Sequence, residues 1–394
     1  MSVKDQVAII GMGCSKFGER WDAGVADLVI ESAYEAFGDS GVGPQDIQAC
    51  FVGQMYAPVG GLGGVQVADA LKLNNIPVVR NENFCVAGHV ALIDAIMAVA
   101  SGAYDIVMAI GVEKLKDTGY PGLGVGRGMS PVYEARRTAP GSFALIAPRI
   151  FAEYGLSMDQ GREILAKIAV KNHKNGMLAP KAHFHKEITV EEALKAPMIA
   201  SPLGLFDCCG NSDGSACAII TRADLAKKFR PDPIYIKGFG MAMDAVLPHM
   251  RPGFNWTEFP ALQTASRKAY EMAGIKDPRL EIDLAEVHDC FTITEMAIYE
   301  NFGFSQKGKV VEDINNGFFE LNGGLPVNTD GGLKCFGHPV GASGIRMTYE
   351  IYKQLQGKVD NPLRQVKNIN RAMSHTFGGA PQFTAVLIAG NEKG

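Results

Sequence analysis

The chain has 394 residues, 47% of them hydrophobic and 20% charged, with a formal net charge of −4. At roughly one domain per ~150 residues this length means two or three domains or one large duplicated unit, and the composition excludes disordered, collagen-like and coiled-coil chains. The acidic balance argues against nucleic acid as a partner, no apolar run reaches the ~18 residues that cross a bilayer, and the absence of a basic-then-apolar leader or a terminal retention signal makes a cytoplasmic protein the expectation.

In chain order, an apolar run over 6–14 leads to a helical pattern over 27–37 that ends at Gly41, then to a strand over 49–53. Residues 77–81 lead to Cys85 and a helix over 90–100 that is apolar on nearly every face, followed by a strand over 104–111. A long stretch from about 115 to 213 then intervenes. It holds a Gly-rich segment (119–128), a helical pattern (158–175) and a basic run of Lys171, His173, Lys174, Lys181, His183, His185 and Lys186. That run reads either as a solvated face or as a patch for a phosphorylated ligand. A strand over 215–221 closes the first half.

The order then repeats. An apolar run over 233–241 is followed by a helix over 262–274 and a strand over 284–288. Residues 325–329 lead to His338 and a helix over 345–355, and strands over 366–373 and 383–389 follow. Alternating helices and buried strands predict a layered α/β fold, and two copies predict two halves about a pseudo-two-fold axis. The expected division is 1–114 with 214–228 as the N-terminal half, 115–213 as an inserted loop domain, and 229–394 as the C-terminal half.

Eight cysteines stand at 14, 50, 85, 208, 209, 217, 290 and 335, with no C-x-x-C pair. They read as reduced thiols with no metal site among them, most of them small core residues. Cys85 and His338 occupy equivalent points of the two halves, each before a helix. A pseudo-two-fold brings such loops together, and a helix N-terminus favours a thiolate. Thiol plus imidazole is the simplest activated nucleophile.

Four segments carry a family resemblance. Asn83-Phe84-Cys85-Val86-Ala87-Gly88, Val287-His288-Asp289-Cys290-Phe291, Gly331 through Gly344 around Gly337-His338-Pro339, and Ser374-His375-Thr376-Phe377-Gly378-Gly379 occur in this order. They resemble the four catalytic loops of thiolases. The His-Asp-Cys-Phe loop and the segment Leu205 through Gly214 are similar to the sterol-carrier-protein-type and archaeal-type acetoacetyl-CoA thiolases. The resemblance implies the thiolase fold: two βαβαβαββ halves in a five-layered α/β/α/β/α arrangement, with a loop-domain insertion in the first half.

It also implies roles. Cys85 is the nucleophile, His338 its base, and Cys290 the acid/base for the substrate α-carbon. His288 and His338 form one oxyanion hole, and the backbone N–H groups of Cys85 and Gly378 form the second. Coenzyme A is a co-substrate bound on the 115–213 insertion, with no permanently bound cofactor and no metal. The resemblance further implies a homodimer or higher oligomer, and a possible small OB-fold zinc-binding partner subunit. Thr376 stands where familiar thiolases carry their second cysteine, so acid/base duty falls on Cys290. Phe84 and Val86 flank the nucleophile where small residues are frequent, and Ala380-Pro381-Gln382 replaces a glycine-rich run. These departures point to a bulky or aromatic acyl group, as in benzoylsuccinyl-CoA thiolase, beside acetoacetyl-CoA. The alternatives are a ketoacyl-synthase-like condensing enzyme and a catalytically silent acyl-CoA-binding scaffold.

Overall fold

The computed structural model describes residues 3–56, 63–116, 138–244, 252–379 and 382–394. The Gly-rich segment 119–128 and the Ala380-Pro381 pair lie outside the described residues. The first half supplies strands β1 (Val7–Cys14), β2 (Ala49–Gly53), β3 (Val78–Asn81) and β4 (Ile106–Glu113). A small hairpin of β5 (Met198–Ala200) and β6 (Leu203–Gly204) lies in the insertion, and β7 (Gly214–Arg222) returns to the first half. The second half supplies β8 (Ile234–Met243), β9 (Leu284–Glu286), β10 (Arg371–Gly378) and β11 (Phe383–Gly390).

Among the described residues, nine strands form one mixed sheet in the order β3-β2-β4-β7-β1-β8-β11-β10-β9. The seam is β1 against β8, paired through Ala8–Tyr235 and Ile9–Ile234. Outward from it, each side shows two antiparallel pairings and then a parallel one. The sheet therefore carries the pseudo-two-fold expected from the duplicated sequence. Strands β1, β7 and β11 are buried nearly end to end, which is why they read as continuous apolar runs.

The second half departs from the expectation twice. Residues 325–329, the counterpart of β3, make only a single parallel bridge, Ala285–Val327. The strand expected over 366–373 begins five residues later, at Arg371. The cause is the same at both places: Asn328 and Asn368 adopt φ of +57°. A left-handed residue interrupts extended backbone, and asparagine tolerates that region.

Helices Ala87–Ala100 and Val340–Leu355 pack against each other, and each touches strands of both halves. Helix Val25–Ser40 covers β1 and β7 from outside, and helix Pro260–Ala273 covers β8 and β11. The result is the expected α/β/α/β/α layering around a central helix pair. That pair crosses very closely because its contact is made of glycines. A Cβ on Gly88 would sit 2.6 Å from the Gly341 carbonyl oxygen, and one on Gly344 2.6 Å from the His89 amide nitrogen.

The insertion is organised by helix Met158–Gly176, whose start is fixed reciprocally: Ser157 Oγ accepts from Gln160 N, and Gln160 Oε1 accepts from Ser157 N. The basic run fits neither expected reading as a unit. Lys171 is buried and pairs with Glu295 at 2.6 Å. His173 is buried and bonds the Lys186 carbonyl at 2.7 Å. Lys181 pairs with Glu35 and donates to the Cys14 carbonyl. Of that run, only Lys174, His185 and Lys186 are exposed. A charged side chain enters a core when a partner awaits it, and those partners lie far away in the sequence.

The crossing predicts a contrast between glycines. Gly88→Ala should cost about 1–3 kcal/mol by overpacking. Gly38→Ala, on an exposed helix face with no atom within 4 Å of the new methyl group, should raise stability by about 0.5–1 kcal/mol. Urea unfolding of the two variants measures both.

Candidate active site

The central helix pair sets the site. Cys85 lies two residues before helix Ala87–Ala100 and His338 two before helix Val340–Leu355, so the crossing brings both loops to one place. β9 ends at Glu286 and delivers His288 and Cys290 to the same place; β10 ends at Gly378. Cys85, His288, Cys290 and His338 line one partly open cavity of about 30 Å³, with Phe84, Phe143 and Phe291 in its wall. Gly378 fits against the nucleophile loop: a Cβ there would lie 2.8 Å from Phe84 Cβ and 2.9 Å from Cys85 N. Phe84 holds a φ of +51°, a strained conformation for a bulky residue that clusters at functional sites.

The Cys85 thiol sulfur and imidazole nitrogens of His288 and His338 all lie within 4.8 Å of one another. The two rings are nearly perpendicular (83°), with centroids 5.2 Å apart. His338 Nδ1 is 2.7 Å from Ser343 Oγ, and Ser343 Oγ donates to the Pro339 carbonyl. A hydroxyl has one hydrogen, so Ser343 accepts from His338 Nδ1–H. That assigns the tautomer and leaves Nε2 as a bare lone pair. His338 Nε2 and both ring nitrogens of His288 are buried without a hydrogen-bond partner. Buried polar atoms are rarely left so, and three in one cavity describe a place built for a polar substrate atom.

Burial sets the protonation states. Desolvation lowers the His338 pKa to about 3, helped by the Arg346 guanidinium, and His288 also falls well below its ordinary value by burial and its histidine neighbours. Desolvation pushes the Cys85 thiol up to about 12, with the Glu113 carboxylate adding to it. The expected thiolate at the helix N-terminus is therefore outweighed: the resting pair is neutral thiol and neutral imidazole. Cys290 is raised well above its ordinary value, first by desolvation, and stays protonated.

Several organising groups were missed from sequence. Asp289, between the two candidate residues of its loop, accepts from Leu333 N at 2.6 Å, Lys334 N at 3.2 Å and Asn172 Nδ2 at 2.8 Å. It ties the insertion helix and the approach to His338 to the His288–Cys290 loop. Asn172 also donates to Glu295, the partner of Lys171. Glu113, at the end of β4, accepts from Met55 N, Tyr56 N and Gly341 N at 3.1, 2.9 and 3.0 Å, joining a cavity wall to the second central helix. Its one sequence signal is an acid closing the apolar run of β4. His375 Nδ1 accepts from His288 N at 3.4 Å, so it orients that loop, not only its own. Cys209 donates its backbone N–H to the Cys290 carbonyl at 2.9 Å. His89 is a satisfied core group: it bonds Thr376 at 2.7 Å and Ser374 at 2.9 Å, which also occupies the Thr376 hydroxyl.

Comparison with known proteins shows the family. The sequence matches the family described as "Thiolase, N-terminal domain" over residues 7–224 and "Thiolase C-terminal domain-like" over 248–391. It is 38% identical to "Acetyl-CoA acetyltransferase" of Methanothermobacter thermautotrophicus over 97% of this chain and 98% of that one. It is 30% identical to "Benzoylsuccinyl-CoA thiolase subunit BbsB" of Thauera aromatica, over 96% of each. The solved "Ltp2-ChsH2(DUF35) aldolase" superposes with a TM-score of 0.85 at 22% identity, covering 100% of both chains; at that identity it shows the shared fold.

The buried neutral imidazoles predict an acid limb in stability. A histidine with a lowered folded pKa contributes stability that is complete above its unfolded pKa of 6.5 and is lost as pH falls toward about 3. His338→Asn should flatten that limb by up to about 1.4 kcal/mol per pH unit, measured by urea unfolding across the range.

Proposed function

The chain belongs to the thiolase family and is an acyl-CoA C-acyltransferase, and from that premise we propose that it cleaves, or in reverse condenses, a 3-oxoacyl-CoA by a ping-pong route through a Cys85 acyl-enzyme. The observation that carries this reading is the Cys85 sulfur within 4.8 Å of an imidazole nitrogen of each of His288 and His338, in a cavity where three of the four ring nitrogens are unpartnered. Cys85 attacks the keto carbon while its proton passes to the bare His338 Nε2. The oxyanion at that carbon lies against the Cys85 and Gly378 backbone N–H groups. The carbon–carbon bond breaks, and the leaving CoA-thioester enolate carries its charge on oxygen, beside His338 and His288. His288 donates there from one ring nitrogen, and His338 from the proton it has just received. Cys290, held protonated by burial, supplies the proton that the enolate carbon needs. Coenzyme A then takes the acyl group from Cys85: its thiol proton restores Cys290, and the proton on His338 returns to the Cys85 sulfur as the acyl group leaves it. The proton-poor resting state suits this order: charge appears only when substrate fills the cavity and meets preset donors.

Cys85 also separates this reading from a silent scaffold. A scaffold has no use for a thiol on a strained turn facing a bare imidazole nitrogen. For the acyl group we favour an apolar one bulkier than acetyl, aromatic included. Met55, Tyr56, Phe84, Phe143 and Phe291 line the cavity, and among the described residues none of the lining side chains is a carboxylate, lysine or arginine. Acetoacetyl-CoA is the small end of this range, and the archaeal acetyltransferase relative supports it. We assign coenzyme A to the 115–213 insertion, whose helix is wired through Asn172 and Asp289 to the catalytic loops. A homodimer and a small OB-fold zinc-binding partner complete the proposal. The "subunit" in the name of the Thauera relative and the two-component name of the aldolase support a multi-chain assembly.

Intact-protein mass spectrometry after incubation with acetoacetyl-CoA and with aromatic 3-oxoacyl-CoA esters tests the route. One acyl mass on the wild-type protein and none on Cys85→Ala is expected. Cys290→Ala should lose about 10²- to 10⁴-fold in turnover. An adduct that survives in Cys85→Ala, or full turnover without Cys290, removes the corresponding role.

A further inference from the structure

The same three side chains have a second chemical identity. A thiol and two neutral imidazoles are a zinc-binding set, since zinc takes sulfur and nitrogen donors in tetrahedral geometry. Here the donors are preset. His338 Nε2 and both His288 nitrogens are buried and unpartnered. The three donor atoms already lie within 4.8 Å of one another. Zinc–ligand bonds of about 2.0–2.3 Å place tetrahedral donors roughly 3.4–3.6 Å apart, so side-chain rotations of little more than an ångström close the set. Ser343 supplies the outer hydrogen bond at His338 Nδ1 that zinc-ligating histidines ordinarily have. Burial raises the Glu113 carboxyl to about 7; where ionised, its charge favours a dication at Cys85. The Arg346 guanidinium, which opposes one, is already paired with Glu286 and Asp330 at 3.0 and 2.5 Å.

We propose that Cys85, His288 and His338 form an inhibitory Zn²⁺ site that competes with acyl-CoA for the cavity. In the binding step the Cys85 S–H bond breaks and a Zn–S bond forms, and the proton leaves to solvent. One nitrogen lone pair from each imidazole displaces a water from the aquo ion, and a remaining water keeps the fourth position. No electron is transferred. The metal consumes both the nucleophile and its base, so a zinc-loaded chain cannot be acylated, and an acylated Cys85 has no thiolate to offer zinc. Mg²⁺ and Ca²⁺, which prefer oxygen donors, should leave the site alone. Binding rests on the geometry; inhibition rests on the proposed role of Cys85, and the two are read separately.

Binding is measured by anaerobic titration of the full-length protein with Co²⁺, whose sulfur-to-cobalt absorption reports a thiolate ligand, followed by displacement with Zn²⁺. One equivalent is expected. The signal should vanish in Cys85→Ala and Cys85→Ser, weaken more than ~10-fold in His288→Asn and His338→Asn, and persist in Cys208→Ser, with circular dichroism confirming that each variant is folded. The same stoichiometric binding in Cys85→Ala and Cys85→Ser, or no thiolate band at all, overturns the site. Inhibition is read by mass spectrometry: one equivalent of Zn²⁺ should abolish acylation, and a chelator should restore it. Acylation that proceeds with zinc bound overturns the inhibitory role. If no ester acylates the metal-free protein, the catalytic reading fails while the cobalt spectrum still decides the site.

Discussion

Everything in this molecule depends on how closely two helices can cross. Helices Ala87–Ala100 and Val340–Leu355 meet through Gly88, Gly341 and Gly344, with backbone approaching backbone at distances a methyl group would forbid. The crossing lies between the two halves of one sheet, and both helices begin near it. Cys85 and His338 belong to loops that precede equivalent helices, so the pseudo-two-fold places thiol against imidazole. Larger residues at the crossing would push the two loops apart and dissolve the pair without touching either catalytic side chain.

Buried carboxylates then hold what the crossing brings together. Glu113 joins the Met55–Tyr56 wall to Gly341, Asp289 joins the His288–Cys290 loop to the segment before His338, and Glu295 joins Lys171 and Asn172 of the insertion to the second half. Each spans elements far apart in the chain. Buried acidic groups are costly unless fully bonded; Glu113 and Asp289 bond mainly to backbone N–H groups, and Glu295 to the side chains of Lys171, Asn172, Tyr299 and Asn328. The cost of burial is thereby converted into fixed loop geometry.

The cavity that results is apolar-walled and uncharged. Desolvation holds the imidazoles neutral and the thiols protonated. An apolar wall of Phe84, Phe143 and Phe291 sustains that state. In such surroundings the proton transfer proposed from Cys85 to His338 would create an ion pair screened by little water, so its charge would have to be met by donors already in place. The same unpartnered nitrogens that the proposed route turns toward an oxyanion are the ones the proposed metal site would use.

The sequence alone determined a good deal. Apolar runs revealed the strands, because strands buried on both faces leave no room for polar residues. The duplicated order of elements announced the pseudo-two-fold, and with it the meeting of Cys85 and His338. The Cys-His-Cys motifs pointed to a family. Tertiary structure alone decided the rest. It ended the second-half edge strand at a single bridge and moved β10 to Arg371, because two asparagines turn left-handed where the residue pattern still reads as extended. It turned Lys171 and His173 inward, because Glu295 and the Lys186 carbonyl await them. It set the thiol against the helix N-terminus, because desolvation depends on everything packed around a group and no local window records it. The roles of Glu113, Asp289 and Asn172 were illegible for the same reason: a buried charge is defined by partners that only the folded chain assembles.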